Sequence, residues 1–254
     1  TAVGYAALNV NTTAANNTAV GATALVANTT GDASTAVGKD SMLRNTTGRF
    51  NSSLGYESLA LNTTGAQNTA IGKAALYNNT TASNNTAVGM NALAANTTGT
   101  RNCALGFGAA DATTTPVDIN AFGHNSLGSN TTGTQNAGFG TNTLFTNLTG
   151  THNTALGHFT LEASTGNHNT AVGTQAGIAV TTGTDNTLVG SLAGDAITSG
   201  DSNIIIGSGI DAASNTADGQ IHIGTFIHNH GDGSLAQGNI DVSQRTGDTN
   251  VLAV

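Results

Sequence analysis

His228-Asn229-His230 is the arrangement in this sequence best suited to hold a metal. In an extended segment, residues two apart face the same way, so both imidazoles would project together. Three such segments around an axis would bring six nitrogens to one point, an octahedral set that suits Fe or Ni better than tetrahedral Zn. Gly231-Asp232-Gly233 follows at once and fits equally a loop carrying two solvated imidazoles. Gly207-Ser-Gly-Ile-Asp211 echoes the calcium-binding β-roll phrase but is not repeated. No Ser-His-Asp, paired-carboxylate or Cys-His arrangement stands out, and the expectation is a protein without enzymatic activity.

A second group of residues could make recognition contacts. Tyr5, Tyr56, Phe107, His124 and His158 each stand immediately after a recurring glycine, a place also taken by Lys39, Lys73 and Met90. A position free to vary on a rigid scaffold is where binding could be placed. A solvated corner under no constraint would look the same.

The scaffold that must position them is a repeat. Glycines in the phrase Asn17-Thr18-Ala19-Val20-Gly21 recur at 4, 21, 38, 55, 72, 89, 106, 123, 140, 157, 173, 190, 207 and 224. Every step is seventeen residues except the sixteen between Gly157 and Gly173. Such a period marks one short unit stacked many times. The residue before the glycine is always apolar, Thr usually stands two earlier, and a small residue, mostly Ala, lies between. That alternation has the period of a strand. A second apolar file follows the glycine (Leu8, Leu25, Met42, Leu59, Leu76, Leu93), then Asn-Thr-Thr-Gly, whose Asn and Gly tolerate positive φ and read as a corner. The unit therefore reads as strand, corner, strand, corner, too short for a crossover helix. The fold expected is all-β, a parallel β-solenoid of about fourteen coils and roughly 65–70 Å.

Composition fits a stack better than an ordinary globule. The 254 residues include 34 Gly and no Trp, with 4% aromatic and 8% charged residues. That balance would suggest a disordered linker, but a disordered tract has no reason to keep Val and Leu in register. Stacked coils build a continuous core from few aliphatics each. The formal charge of −8 is uneven, with five basic and three acidic residues up to Arg101 and one basic and eleven acidic beyond. No basic, aromatic-laced surface favours nucleic acid, and no stretch is long enough to insert in a membrane. The sequence starts and stops in mid-phrase, as a piece of something longer would. The lone Cys103 reads as a small buried residue.

If Thr and Val point inward, the Ala file (Ala2, Ala19, Ala36, Ala70, Ala87, Ala104) points out, and its small side chains would let another copy approach. The Asn file Asn17, Asn51, Asn68, Asn85, Asn102 would stack as an amide ladder. The sequons at Asn28, Asn45, Asn62, Asn96 and Asn130 follow from the repeat rather than marking glycan sites. In the seventh coil, Ala110 replaces the expected Leu, Pro116 the corner glycine, and Ile119-Asn120 the usual Asn-Thr, which predicts a bulge. The missing residue is expected at the corner after Ser164. From Ala176 the second apolar file weakens to Gly177 and Gly194 while the strand gains Leu188 and Ile204-Ile205-Ile206. Two regions result, a repeat shaft over 1–224 and a C-terminal β transition segment over 225–254.

Repeats such as Asn68-Thr-Ala-Ile-Gly72 resemble the heads of trimeric autotransporter adhesins. The seventeen-residue form with Asn-Thr-Thr-Gly corners resembles more closely the shafts of phage tail fibres, often followed by an endosialidase-type chaperone. Ile221-His-Ile-Gly-Thr-Phe-Ile227 is similar to the segment before that chaperone. The resemblance covers about residues 1–227. It implies a left-handed roll, a homotrimer, an extracellular, cell-surface or virion location, and attachment to a cell-surface glycan or protein. It also implies that His228 and His230 clamp three chains with a metal. This chain departs in having Thr where adhesin heads more often have Val, and in showing no chaperone domain. Two other readings compete: an ice-binding solenoid with regular Thr on one face, and a filament growing head to tail between its basic and acidic ends.

Overall fold

The computed structural model describes residues 1–224, 227–229 and 235–237. Fourteen short strands, β1 (Ala2–Val3) to β14 (Ile221–Ile223), lie in chain order in one parallel sheet. Partners are seventeen residues apart, as in Thr69↔Thr86, except across the short coil, where Thr154 meets Thr170. A parallel ladder between consecutive coils is a β-solenoid. Its thirteen steps of about 4.8 Å make it about 62 Å long. After Gly224, β15 (Ile227–Asn229) and β16 (Leu235–Gln237) pair antiparallel, a different β arrangement from the stack.

Each coil has one strand, not two. The second apolar file cannot be extended because its residues take the left-handed conformation: φ is +51° at Leu25, +49° at Leu59 and +52° at Leu76, and residues two earlier, such as Thr23 and Glu57, do the same. Coil-to-coil hydrogen bonding nevertheless continues here, with Leu25 N–H donating to the Ser41 carbonyl and Asp40 N–H to that of Ala22.

The sheet also faces the other way from the sequence expectation. Ala19, Ala36, Ala70, Ala87 and Ala104 are wholly buried, while the Thr and aliphatic residues flanking them point out. The reason is width. Leu25, Met42, Leu59, Leu76 and Leu93 fill the interior opposite the strand, leaving room only for a methyl. Cys103, in the Thr file, is accordingly half-exposed rather than buried, and its burial still pushes its thiol up from the ordinary value.

Two asparagine files cross-tie the coils. In the strand file, each side chain reaches the next coil's backbone: the Asn51 Oδ1 accepts from Asn68 N–H at 2.9 Å, and the Asn68 Oδ1 from Asn85 N–H at 3.0 Å. The amide-to-amide ladder expected there is found in the corner file instead. Nδ2 of Asn45, Asn62, Asn79 and Asn96 each donates to the Oδ1 one coil earlier, at 2.7–3.0 Å. Both files converge on the corner carbonyl, as Asn51 and Asn62 do on Gly65. The corner glycine itself is not in positive φ; it is there because the next coil lies against it, a Cβ on Gly31 meeting the Gly48 oxygen at 2.3 Å.

The seventh coil contains no bulge. Cys103, Ala104 and Leu105 pair with Asn120, Ala121 and Phe122 in unbroken register. Ile119 enters the strand-asparagine file and is buried, replacing volume lost at Ala110. Its cost is polar. Thr113 stands in the corner-asparagine file, and its hydroxyl donates to the Asn130 carbonyl, so Asn96 Oδ1 is buried without a donor. Thr113→Asn would supply that donor and a second one to the Pro116 carbonyl. The expected gain is about 1–2 kcal/mol, read as a higher urea midpoint at unchanged slope.

Elsewhere, volume is exchanged across the coil. Where the Leu file falls to Gly177, a Cβ there would meet Leu188 Cδ1 at 2.5 Å, because Leu188 has taken an Ala place in the strand and filled the gap. Gly138 makes the opposite exchange with Thr143, whose Oγ1 would lie 2.7 Å from a Cβ. Serines at Ser41, Ser53 and Ser58 form a closed buried hydroxyl cluster. The missing residue of the short coil falls where expected, Gly166 following Thr165 directly.

Candidate functional site

The stack places two kinds of surface at solvent, corner files and the outer sheet face. The recognition candidates lie on one corner file, next to the glycines whose φ of +127° to +143° turns the chain from Gly4 to Gly207. They do not converge on one site. Tyr5 stands alone on the first coil and is 83% exposed. Tyr56 lies beside Lys39, whose Nζ is 5.4 Å from the ring centroid. A hydrogen bond with Glu57 pushes the Tyr56 phenol up, while Lys39 is raised by its hydrogen bond and 3.2 Å ion pair with Asp40. Asp40 is lowered first by the hydroxyl of Thr23.

Phe107 and His124 are on adjacent coils and stack at 5.3 Å with planes 11° apart. His158 instead meets the neighbouring Phe159 edge-on at 4.0 Å. In the Phe107–His124 pair, one ring face is turned to the neighbouring ring. The file is thus a mixed aromatic and cationic ridge.

A second corner file was missed by the sequence reading. Arg101 donates from Nε and Nη2 to the two carboxylate oxygens of Asp118 at 2.7 and 3.0 Å, one coil apart. Their charges hold the guanidinium above and the carboxyl below their ordinary values, through that hydrogen bond first. His152 stacks on His168 at 4.9 Å, and His168 Nδ1 is 3.7 Å from Asp185 Oδ1. The signal was available: these residues share one place in the aligned coils, where residue type varies freely.

The Thr-Thr corner separates into two roles. Thr29, Thr46, Thr63, Thr80 and Thr97 each donate their hydroxyl to the next coil's backbone, whereas Thr30, Thr47, Thr64, Thr81 and Thr98 are exposed in single file. Asn28, Asn45, Asn62, Asn96 and Asn130 are fully buried, so the folded chain does not present those sequons at its surface.

His228 lies in β15, opposite Ala236. His230 falls outside the described residues, and with it the expected metal site. Among the described residues no three His, Cys, Asp or Glu side chains are placed to hold a metal ion. The backbone carbonyl oxygen of Asp211, from the calcium-like phrase, lies 2.6 Å from His222 Nδ1. Its carboxylate helps raise Asp195, whose burial is the larger cause. Among the described residues no helix is long and apolar enough to cross a membrane.

The outer sheet face is the most continuous surface. It carries a Thr file and an aliphatic file side by side, with Leu54, Leu105 and Leu156 each 49% exposed. Phe122 and Phe139 stack within it at 4.9 Å. Comparison with protein-family models, with curated proteins and with solved structures returned no match.

Proposed function

We propose that this chain is a non-enzymatic shaft and attachment surface of an extracellular fibre, of the phage tail-fibre or bacterial surface-adhesin kind. The observation that carries the reading is the unbroken fourteen-strand parallel ladder, tied throughout by backbone and in most coils also by asparagine side chains. A stack with that many cross-ties is stiff, and repeated corner side chains give many weak contacts that act together. The fibre assembles as a homotrimer of left-handed rolls, and its receptor is a cell-surface glycan or protein. An octahedral metal held by His228 and His230 belongs to the same proposal, as a clamp beyond the shaft.

Small-angle scattering should give a rod whose length grows by about 4.8 Å per added coil. Fluorescent protein should decorate whole cells in a way competed by unlabelled protein. A compact scattering profile, or no cell in a broad panel that retains the protein, overturns the shaft or the attachment half respectively.

Ice binding is the second reading, because outward Thr69, Thr86, Thr154 and Thr170 do form a regular file. Leu54, Leu105 and Phe139 project beside it and break the flatness a water lattice needs. Thermal hysteresis measures this directly. Head-to-tail filament growth requires a mass distribution that changes with salt.

A further inference from the structure

The geometry points to the outer sheet face, not the alanine stripe, as the surface covered by a second copy of this chain. The assignment deepens the fibre reading and rests on it for the premise that copies lie side by side. β1 to β14 contain no Asp, Glu, Lys or Arg, although the chain has six basic and fourteen acidic residues to place. Solvated faces of parallel strands have no reason to exclude charge; faces that will be desolvated do. The aliphatic file runs the whole ladder, through Val20, Leu54, Ile71, Leu105, Phe139, Leu156 and Ile206, all at least 36% exposed.

Size agrees. Two files about 7 Å apart over about 62 Å make a stripe of about 400 Å², already as large as the patches monomers leave bare. Beyond the turn at the glycine file, the exposed Met90 and Phe107 continue apolar surface along its edge.

The occupant follows from shape. A strip this long and narrow repeats at the coil rise without any local feature, and a globular partner would cover only part of it. Another ladder matches it coil for coil. Parallel alignment sets like against like. The Thr hydroxyls of one copy meet those of the next and can pair. Phe122 and Phe139, in β8 (Asn120–Phe122) and β9 (Ala137–Phe139), meet at mid-length. Ile204, Ile206, Ile221 and Ile223, in β13 (Ile204–Ile206) and β14, where both outward files have become isoleucine, meet at the far end. Antiparallel copies would press those isoleucines on threonines. Buried aromatic and aliphatic anchors of this kind dominate interface energetics.

The test is the mass of the full chain by light scattering and sedimentation, with two double variants. The parent should be a closed oligomer at micromolar concentration. Ile71→Lys with Leu105→Lys, both outward, should raise the dissociation constant at least a thousandfold and yield monomers with unchanged circular dichroism. Thr98→Lys with Thr132→Lys, exposed at the Thr-Thr corner outside the strands, should assemble like the parent. If the lysine pair fails to fold, labelling of the folded parent at Cys103 decides: maleimide should react slowly in the oligomer and faster after dilution to the folded monomer.

A monomeric parent, assembly by the Ile71 and Leu105 variant equal to the parent's, or fast native labelling of Cys103 in the oligomer each overturns the assignment. So does a monomer with thermal hysteresis, which gives the face to water. A rod-like monomer in scattering would sink this interface while leaving the shaft reading intact; a compact particle would sink the shaft.

Discussion

Gly89→Ala is expected to unfold the middle of the rod, at a cost of about 4 kcal/mol. Two effects add. Gly89 has φ of +131°, a region that L side chains rarely enter. A Cβ there would also lie 2.3 Å from the Gly106 oxygen and 2.6 Å from its carbonyl carbon. Both obstacles are backbone of the next coil, held in the ladder, and neither can swing aside. The file agrees, since the glycine is present in all fourteen repeats while the corner glycine is replaced by Ala14, Ala82, Pro116 and Ala217. Gly209→Ala is the control. It shares a positive φ, +61°, but nothing lies within 4 Å of its Cβ, so it should cost only about 1 kcal/mol. Urea titrations followed by circular dichroism compare the two, and equal costs would mean that close approach between coils is not what fixes glycine there.

The second large effect is at Asn102, which is 1% exposed. Its Oδ1 accepts from Ile119 N–H at 3.0 Å, and its Nδ2 donates to the Pro116 carbonyl at 2.9 Å. At Gly31, Gly65, Ala82, Gly99 and Gly150 the corner carbonyl has a second donor from the other asparagine file, but here Thr113 stands in that place. Asn102→Ala therefore strips a buried N–H and a buried carbonyl of partners together, at about 1–3 kcal/mol each and about 4 in all. Asn68→Ala should cost about half as much, because the Ala82 carbonyl keeps the amide of Asn79 at 3.0 Å. Introducing Thr113→Asn beside Asn102→Ala should recover part of the loss by restoring a donor to Pro116. Equal costs at Asn68 and Asn102, with no recovery, would mean the two files act independently.

Period, coil count, sheet direction and the place of the short coil were legible because they depend only on which residues recur. Which face of the sheet turns inward was not. Thr-Ala-Val alternates in either orientation, and the larger side chains look like the natural interior. What decides is the opposite wall, where Leu25 and Leu59 fill the space. Those leucines look like a strand in sequence, since nothing in a leucine announces positive φ. The asparagine ladders were half legible: the residue type showed that amides would be stacked, but whether an amide meets an amide or a backbone N–H depends on how close the coils sit at that point. The seventh coil misled for a related reason. Ile119 and Ala110 look like damage singly, yet together they conserve volume.

The short coil has a consequence for how such a chain can vary over generations. Losing Thr165's neighbour left the pairing of Thr154 with Thr170 and of Leu156 with Val172 undisturbed. If a loss within one coil is absorbed at a corner, then gain or loss of a whole coil, which leaves every neighbouring pair of the same kind, disturbs still less. Reach is then a heritable quantity that changes in equal increments, independently of whatever the two ends of the chain do.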